Sequence, residues 1–429
     1  MTGGATHYSP LPLGSNYQNG VPLFDGVQDV RRAKYHLQEV ITEKILQEEE
    51  RLSLCLKRSV PAKRVTIVYS EKTGRSHFKN IMMCRSIWGC PICSGYITEN
   101  RRRELADAID NWQGSVFMGA FTVQHHVGDE LKDVKAVLFA SMRSIMGGRF
   151  WQGIKERYGI VGAVQANEVT WSSENGWHPH RHVLFFSEKV LTQTDIKAFE
   201  GEVQGRFSAS VTRHGGYSSE HWGVKVTTGS KKETAEYCFK WGLDYEMLSQ
   251  AKQAGNGHVT PFELADMFGS TGNLQYKFLF REYYYAFKGS KRVSYSKGLK
   301  VRLGIKDRKD KELLAGGFEN EYQEIAELSR EAFKVVCLQH RRGEILEITS
   351  GSTIGTIPLT TAGSVFLSMG LDAVRYDDGV LGIFSMGESP PTRYETAGAI
   401  PFEYATLWKD TEPIIIKPPD WNDTSGFGR

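Results

Sequence analysis

The chain of 429 residues has no apolar run approaching the roughly 20 residues of a membrane-spanning helix, so no such helix is expected. Its first stretch, MTGGATHYSPLPLGSNYQNG, lacks both a basic start and an apolar core, which argues against a secretory signal and for a cytoplasmic location. No internal repeat is visible. One-sided charge is missing as well: 53 Lys and Arg stand against 50 Asp and Glu, a net +3. With 40% hydrophobic and 24% charged residues, the composition is that of an ordinary soluble globular protein, and the length implies two or three units. Six cysteines in a reducing compartment do not suggest a disulfide framework.

What is present is uneven. Between residues 51 and 110 there are 12 Lys or Arg against 5 Asp or Glu, including Arg101, Arg102 and Arg103 in a row. Such density suits either a solvated helix face or a polyanionic partner such as nucleic acid. Four cysteines fall in the same region. In MMCRSIWGCPICSGY, Cys90 and Cys93 have the two-residue spacing that lets both thiolates reach one tetrahedral zinc, and Cys84 is close enough to add a third. Cys55, across an expected hairpin of RVTIVYS and SHFKNIMM, is the natural fourth ligand, with His77 as a substitute. A structural Zn²⁺ is therefore expected, while Cys238 and Cys337 read as plain core residues.

Along the chain, residues 1–26 are expected to be disordered and 27–50 helical, followed by a cysteine-bearing basic module over 51–110 that ends in the helix TENRRRELADAIDNW. From 111 to 245 strands and helices alternate. SVFMGAFTVQHH reads as a strand, DELKDVKAVLFASMRSIMGGRFWQGIKERY as a helix, and IVGAVQANEVTW and HPHRHVLFF as strands joined by the turn SSENG. TQTDIKAFEGEVQGRFSASV (helix), HWGVKVTT (strand) and KKETAEYCFKWGLDY (helix) follow. This order predicts an α+β domain built on an antiparallel, ferredoxin-like split βαβ sheet.

Two places in that domain carry chemistry. Alternation along a strand points His178, His180 and His182 to one face, and Glu168 on the partner strand can converge on the same face. Two imidazoles and a carboxylate with open positions suit a catalytic rather than a closed metal site. His125 and His126, ending the first strand, are polar candidates for substrate or metal contact. On the last helix, Glu233, Tyr237, Lys240 and Asp244 share a narrow arc, opposite Ala235, Cys238, Phe239 and Gly242.

Together, CRSIWGCPIC, RRREL, GWHPHRHVLFF, ETAEYCFKW and SYSKGLK, with FTVQHH upstream, resemble the HUH endonuclease superfamily and, within it, the plasmid rolling-circle replication initiators of the Rep_1 type. The resemblance spans residues 50–315, making 246–315 a continuation of the replication-protein region; residues 316–429 resemble nothing assignable and their role is open. It implies His180 and His182 as the metal pair, Tyr237 as the nucleophile that becomes a 5′-phosphotyrosine, and Glu233 as the group that activates water in the terminating cleavage. Arg181 stands where the family has a hydrophobic residue, which leaves His178 with His180 as the alternative pair. Mn²⁺ or Mg²⁺ would serve at that site, with Lys240 holding the phosphate. The implied partners are duplex and single-stranded plasmid origin DNA, held in part by Arg101, Arg102 and Arg103, and a host helicase and polymerase. Trp177 and Trp241 are candidates for stacking on unpaired bases, against the commoner reading of such aromatics as core residues. The competing readings are a conjugative relaxase or single-tyrosine transposase and, in another class, a non-enzymatic zinc-dependent DNA-binding regulator.

Overall fold

A computed structural model describes residues 16–18, 21–23, 27–61, 63–71, 74–218, 223–227, 258–309, 322–350, 365–376 and 378–388. Its elements run α1 (Val27–Val40), β1 (Val65–Ser70), β2 (Arg75–Lys79), α2 (Pro91–Asn111), β3 (Val116–Thr122), α3 (Leu131–Ile145), α4 (Gly148–Tyr158), β4 (Ile160–Ser172) and β5 (Gly176–Ser187). They continue with α5 (Gln193–Arg213), β6 (Val224–Thr227), α6 (Pro261–Thr271), α7 (Leu274–Phe287), β7 (Val293–Tyr295), α8 (Leu299–Arg302), β8 (Tyr322–Leu328), α9 (Arg330–Leu338), α10 (Arg342–Thr349), β9 (Leu371–Arg375) and β10 (Leu381–Ser385). Near the N-terminus Asn16–Gln18 pairs antiparallel with Val21–Leu23, and α1 runs into a π-helical turn at Ile41–Ile45. The protein is α+β with two largely antiparallel sheets. No helix among the described residues is long and apolar enough to cross a membrane.

Contacts divide the chain into two units, Met1–Ile45 with Arg85–Gly317, and Leu46–Cys84 with Phe318–Arg429. The first is built on a fully antiparallel sheet in the order β6-β3-β5-β4-β7. Its central hairpin, β4 with β5, keeps register from Gly162 opposite Phe186 to Ser172 opposite Gly176. The turn that closes it is local chemistry: Ser172 Oγ accepts the Asn175 amide at 3.1 Å, and Gly176 takes φ +73, a left-handed backbone that favours glycine. Pairing by twos sorts the side chains. Phe117, Phe121, Val183 and Phe185 face one way and close a core with Leu138, Met142, Ile154, Phe199, Val203 and Phe207 of α3, α4 and α5. Each fully buried phenylalanine is worth roughly 1.5–3 kcal/mol relative to exposure, so this face anchors the sheet.

The opposite face is divided along its length. Leu184, Phe186, Val116, Met118 and Val164 pack under Leu105 and Ile109 of α2 and Leu299 of α8. Beyond Ala166 and Leu184 the apolar pattern stops and the histidines begin. One helix expected over residues 129–158 is two: the first ends at Ile145 with Met146 as its cap, and the second starts at Gly148, whose φ of +68 breaks the run. Helix α5 starts where its sequence predicts, at a capping box of Thr192 and Asp195.

The second unit holds the sheet β9-β10-β8-β1-β2, in which β8 and β10 run parallel and the other neighbours antiparallel. The expected hairpin of β1 and β2 is present, with Val68 opposite His77. Phe78 packs edge-on against Phe333 of α9, and Ser76 Oγ donates to the Thr349 carbonyl at 2.7 Å. Arg342 is fully buried and donates to the Leu56 carbonyl at 3.0 Å.

Candidate metal centres

The β4–β5 register sets Glu168 opposite His180 and Ala166 opposite His182. The alanine leaves space beside it, so the carboxylate reaches both imidazoles. Glu168 Oε2 lies 2.9 Å from His180 Nε2 and 2.9 Å from His182 Nε2. These three residues offer ligand atoms within 4.8 Å of one another and could hold a metal ion. The His182 side chain is 4% exposed and the His180 side chain 15%, whereas Glu168 keeps 31% exposure, so the group opens to solvent on the carboxylate side.

Electrostatics couple the three. Burial alone would raise the Glu168 carboxyl, but the charge and hydrogen bonds of His180 and His182 overcome it and hold it well below the usual carboxylate range. Burial lowers His180, yet the facing carboxylate outweighs it and raises the imidazole; His182, more deeply buried, is lowered. Two imidazole nitrogens and a carboxylate oxygen gathered this closely are a donor set that suits a small divalent cation.

His178 completes the row but not the group. Its ring lies 5.0 Å from that of His180 and 4.9 Å from that of His125, with His258 at 6.2 Å. Burial, then the neighbouring imidazoles, push it down to about 3, so it stays neutral at ordinary pH. The structure thus brings His180 and His182 together with Glu168 and leaves His178 stacked outside. His125 Nδ1 lies 3.0 Å from the Asn175 carbonyl in the β4–β5 turn, while His126 is exposed and its amide donates to Asp129. His258 was not foreseen, because nothing in GNGHVT marks it; only the bridge of Val259 to Trp171 brings it near.

Arg181, between the two ligands, faces the other way. It donates to Asn167 Oδ1 at 2.7 Å and Gln165 Oε1 at 3.0 Å, and its guanidinium lies 3.9 Å from the centre of the Phe139 ring. Trp177 takes the core role of its two readings. It is 3% exposed, donates to Glu282 Oε2 at 2.8 Å and stacks on Tyr283, so it is a core residue and offers no face for an unpaired base. Tyr237, Glu233, Lys240 and Trp241 lie outside the described residues.

The second candidate is all sulfur. Cys55, Cys84, Cys90 and Cys93 are buried, unoxidised, and offer sulfurs within 4.8 Å of one another. A tetrahedral zinc at Zn–S about 2.3 Å separates its sulfurs by roughly 3.8 Å, so the four fit one ion. The Cys84 amide donates to Cys55 Sγ at 3.2 Å, and Cys90 caps α2 by accepting the Cys93 amide at 3.5 Å. Amide donors and a helix N-terminus both favour the thiolates that zinc requires. His77 is not among the four; it lies on β2 beside the Tyr322 ring. Cys337, outside the group, is a buried thiol that donates to the Lys57 carbonyl at 3.8 Å, in keeping with a core residue.

The arginine row is largely committed within α2 and its neighbours. Arg102 forms two 2.6 Å bonds to Glu99, Arg103 joins the same carboxylate at 2.7 Å, and Arg101 pairs with Glu104 at 3.2 Å and the Arg308 carbonyl at 2.7 Å. The Arg101 and Arg102 side chains are 13% and 18% exposed, that of Arg103 67%. Only Arg103 presents most of its surface to solvent.

The chain is similar to a protein called Protein rep from Streptomyces lividans, 24% identical over 311 residues that cover 56% of this chain and 67% of the relative. It is also similar to a neomycin resistance protein from Streptomyces cyanogenus, 26% identical over 157 residues, 30% of this chain and 35% of that protein. The chain therefore spans about a third of the length of the second relative. No protein-family model matches it. No solved structure matches it either.

Proposed function

We propose that this protein initiates rolling-circle replication of a plasmid, as an HUH-type nickase and strand transferase whose first-unit sheet is the ferredoxin-like catalytic fold. The observation that carries the reading is the convergence of Glu168, His180 and His182 on the open half of an antiparallel sheet face. The similarity to Protein rep points the same way, toward replication and origin DNA as partner.

In this reading Glu168, His180 and His182 hold a divalent ion, Mn²⁺ or Mg²⁺, which when bound polarises a non-bridging phosphate oxygen and neutralises charge as the 3′ oxygen leaves. The Tyr237 oxygen attacks the scissile phosphorus, the bond to the 3′ oxygen breaks, and the 5′ phosphate remains on the phenol. That ester keeps the energy needed to rejoin a strand, which attack by water would discard. Arg181 keeps β5 registered against β4 through Asn167 and Gln165, and so keeps both histidines aimed at Glu168. Glu233 serves as base for the water that ends the cycle. The four cysteines hold a structural zinc, and host helicase and polymerase act on the opened origin.

The test is incubation of the purified chain with supercoiled plasmid carrying its gene and Mn²⁺, denaturing electrophoresis, and mapping of any peptide left on the DNA. A nick with a 5′ adduct on Tyr237, absent in Tyr237→Phe, is expected. Glu233→Ala should form the adduct yet release product about 10²- to 10⁴-fold more slowly, the usual range for general-base assistance. Nicking by Tyr237→Phe at the wild-type rate would end the proposal.

A further inference from the structure

A denser run of positive charge than the one on α2 lies further along the first unit. Residues 291–309, KRVSYSKGLKVRLGIKDRK, carry eight Lys or Arg and one acid, Asp307, in a chain whose whole net charge is +3. We infer that this segment holds the phosphate backbone of duplex DNA flanking the nick, with Lys291, Lys297 and Lys306 as its contacts. The identity of the ligand rests on the reading of the chain as a DNA-nicking protein.

The segment starts beside the metal group. Asn167, next to Glu168 on β4, donates its amide to the Arg292 carbonyl at 2.8 Å and its side-chain nitrogen to the Lys291 carbonyl at 2.7 Å. From there β7 runs as an edge strand of the sheet, and Leu299 of α8 packs into the core beneath α2. Arg308 closes the segment, bonded to Glu104 of α2 at 2.6 Å while its carbonyl accepts from Arg101 at 2.7 Å. These anchors fix the backbone and leave charge between them on the outside. Lys291, Lys297 and Lys306 are exposed and form no ion pair among the described residues. The one acid is already paired: Lys300 bonds Asp307 at 2.6 Å and, with the charges of Arg101 and Lys291, holds its carboxyl below the ordinary value. The remaining like charges repel one another, and a phosphate backbone turns that repulsion into affinity as it sheds its own counterions.

The form of the DNA follows from what else the segment exposes. Its one ring, Tyr295, is half-buried with the Lys300 ammonium 5.1 Å from its centre, so unpaired bases find no open face to stack on. Its one exposed large apolar side chain, Val301, is too little for a lipid surface or a hydrophobic partner. Backbone charge is the feature left to recognise, and a duplex presents one charge per about 1.7 Å of its axis.

The probes are a short fluorescent DNA duplex and its single strand, each titrated with the full chain across a range of salt without Mn²⁺. Each phosphate contact removed should lower the slope of log affinity against log salt by about 0.9, so Lys291→Gln, Lys297→Gln and Lys306→Gln together should lower it on the duplex by about 2.7. A fourfold rise in salt then weakens the wild type about 40-fold more than the triple variant. Lys291→Arg, Lys297→Arg and Lys306→Arg together should keep the wild-type slope. So should Lys132→Gln, Lys197→Gln and Arg213→Gln, the same loss of charge at exposed positions of α3 and α5, helices that pack on the other face of the sheet. A glutamine triple at 291, 297 and 306 with the wild-type slope would overturn the inference. An equal loss from the α3 and α5 set would overturn it too, since the effect would then be one of net charge, and a loss confined to the single strand would overturn the duplex. The titration reads no chemistry, so a chain that loses slope as expected but forms no adduct with supercoiled plasmid and Mn²⁺ would refute the nicking reaction and leave the backbone site standing.

Discussion

Two groups of candidate metal ligands differ in donor type and in how far they are closed. The four cysteines are between 0% and 5% exposed and all sulfur, which leaves a bound ion no position for substrate. Glu168, His180 and His182 supply three donors, one of them on a side chain 31% exposed, which leaves positions open. Closed tetrahedral sulfur sites hold chains together, and open nitrogen and oxygen sites do chemistry. Under the proposed function the difference also separates the consequences of damage: loss of a thiol should be a folding lesion, loss of an imidazole a catalytic one.

The largest effect should come from the thiols. Structural zinc in small modules is bound with about 10–16 kcal/mol of apparent free energy, and removing one of four ligands forfeits several of these. Cys93→Ser or Cys90→Ser should therefore lose about one zinc per chain and roughly 10 °C in Tm, with new protease cuts within residues 50–100. Metal analysis and limited proteolysis check this, and a well-folded wild-type chain without zinc would erase the comparison.

Next in size are the imidazoles, where activity should fall with the fold intact. His180→Ala and His182→Ala should each lower nicking by more than about 10²-fold, since even outer partners of metal ligands are commonly worth 10- to 100-fold. His178→Ala should stay within about 10-fold, because its ring stacks beside the donors without joining them. Equal damage from all three would redraw the ligand set. Brief treatment with EDTA should abolish nicking and Mn²⁺ should restore it, while about one zinc remains bound throughout; loss of both metals at the same rate would mean the two groups are equally open.

Much of both groups was legible because the relevant distances are short in sequence. Cys90 and Cys93 share one helical turn, and the period of two along β5 needs only the strand to form for three histidines to share a face. The register of β4 was the harder step, yet a turn of few residues after Ser172 fixes it and hence puts Glu168 opposite His180. What failed to show was every relation of long range. Strand β8 pairs with β1 across more than 250 residues, Leu328 opposite Val65, and neither strand carries a local mark of its partner. Trp177 looked like a platform because an indole beside histidines suits either role, and only Glu282, 105 residues away, decides it for the core. The small cleft beside Glu168 is likewise a meeting of α2 with β4 and β7 that no spacing announces.

The smallest expected effect lies on α2, the helix that begins at the thiols and passes Glu168. Glu99 accepts from Arg102 and Arg103, and although burial pushes its carboxyl up, the two guanidinium partners outweigh burial and hold it below its ordinary value. A carboxylate depressed in the folded state contributes stability that is complete above the unfolded value, about 4.3, and is lost as pH falls through the folded value. Glu99→Gln should then cost about 1 kcal/mol at pH 7, the scale of a partly exposed ion pair with good geometry. The deficit should begin to shrink as pH falls below about 4.3, where the unfolded carboxyl takes up its proton, and vanish below the folded value, where the folded carboxyl is protonated too and loses the same interaction. Denaturant melts of both proteins across pH 3 to 7 measure this. Zinc content and nicking should be unchanged, since Glu99 touches neither group of ligands; a variant that lost either one would show that α2 couples the two groups rather than merely passing both.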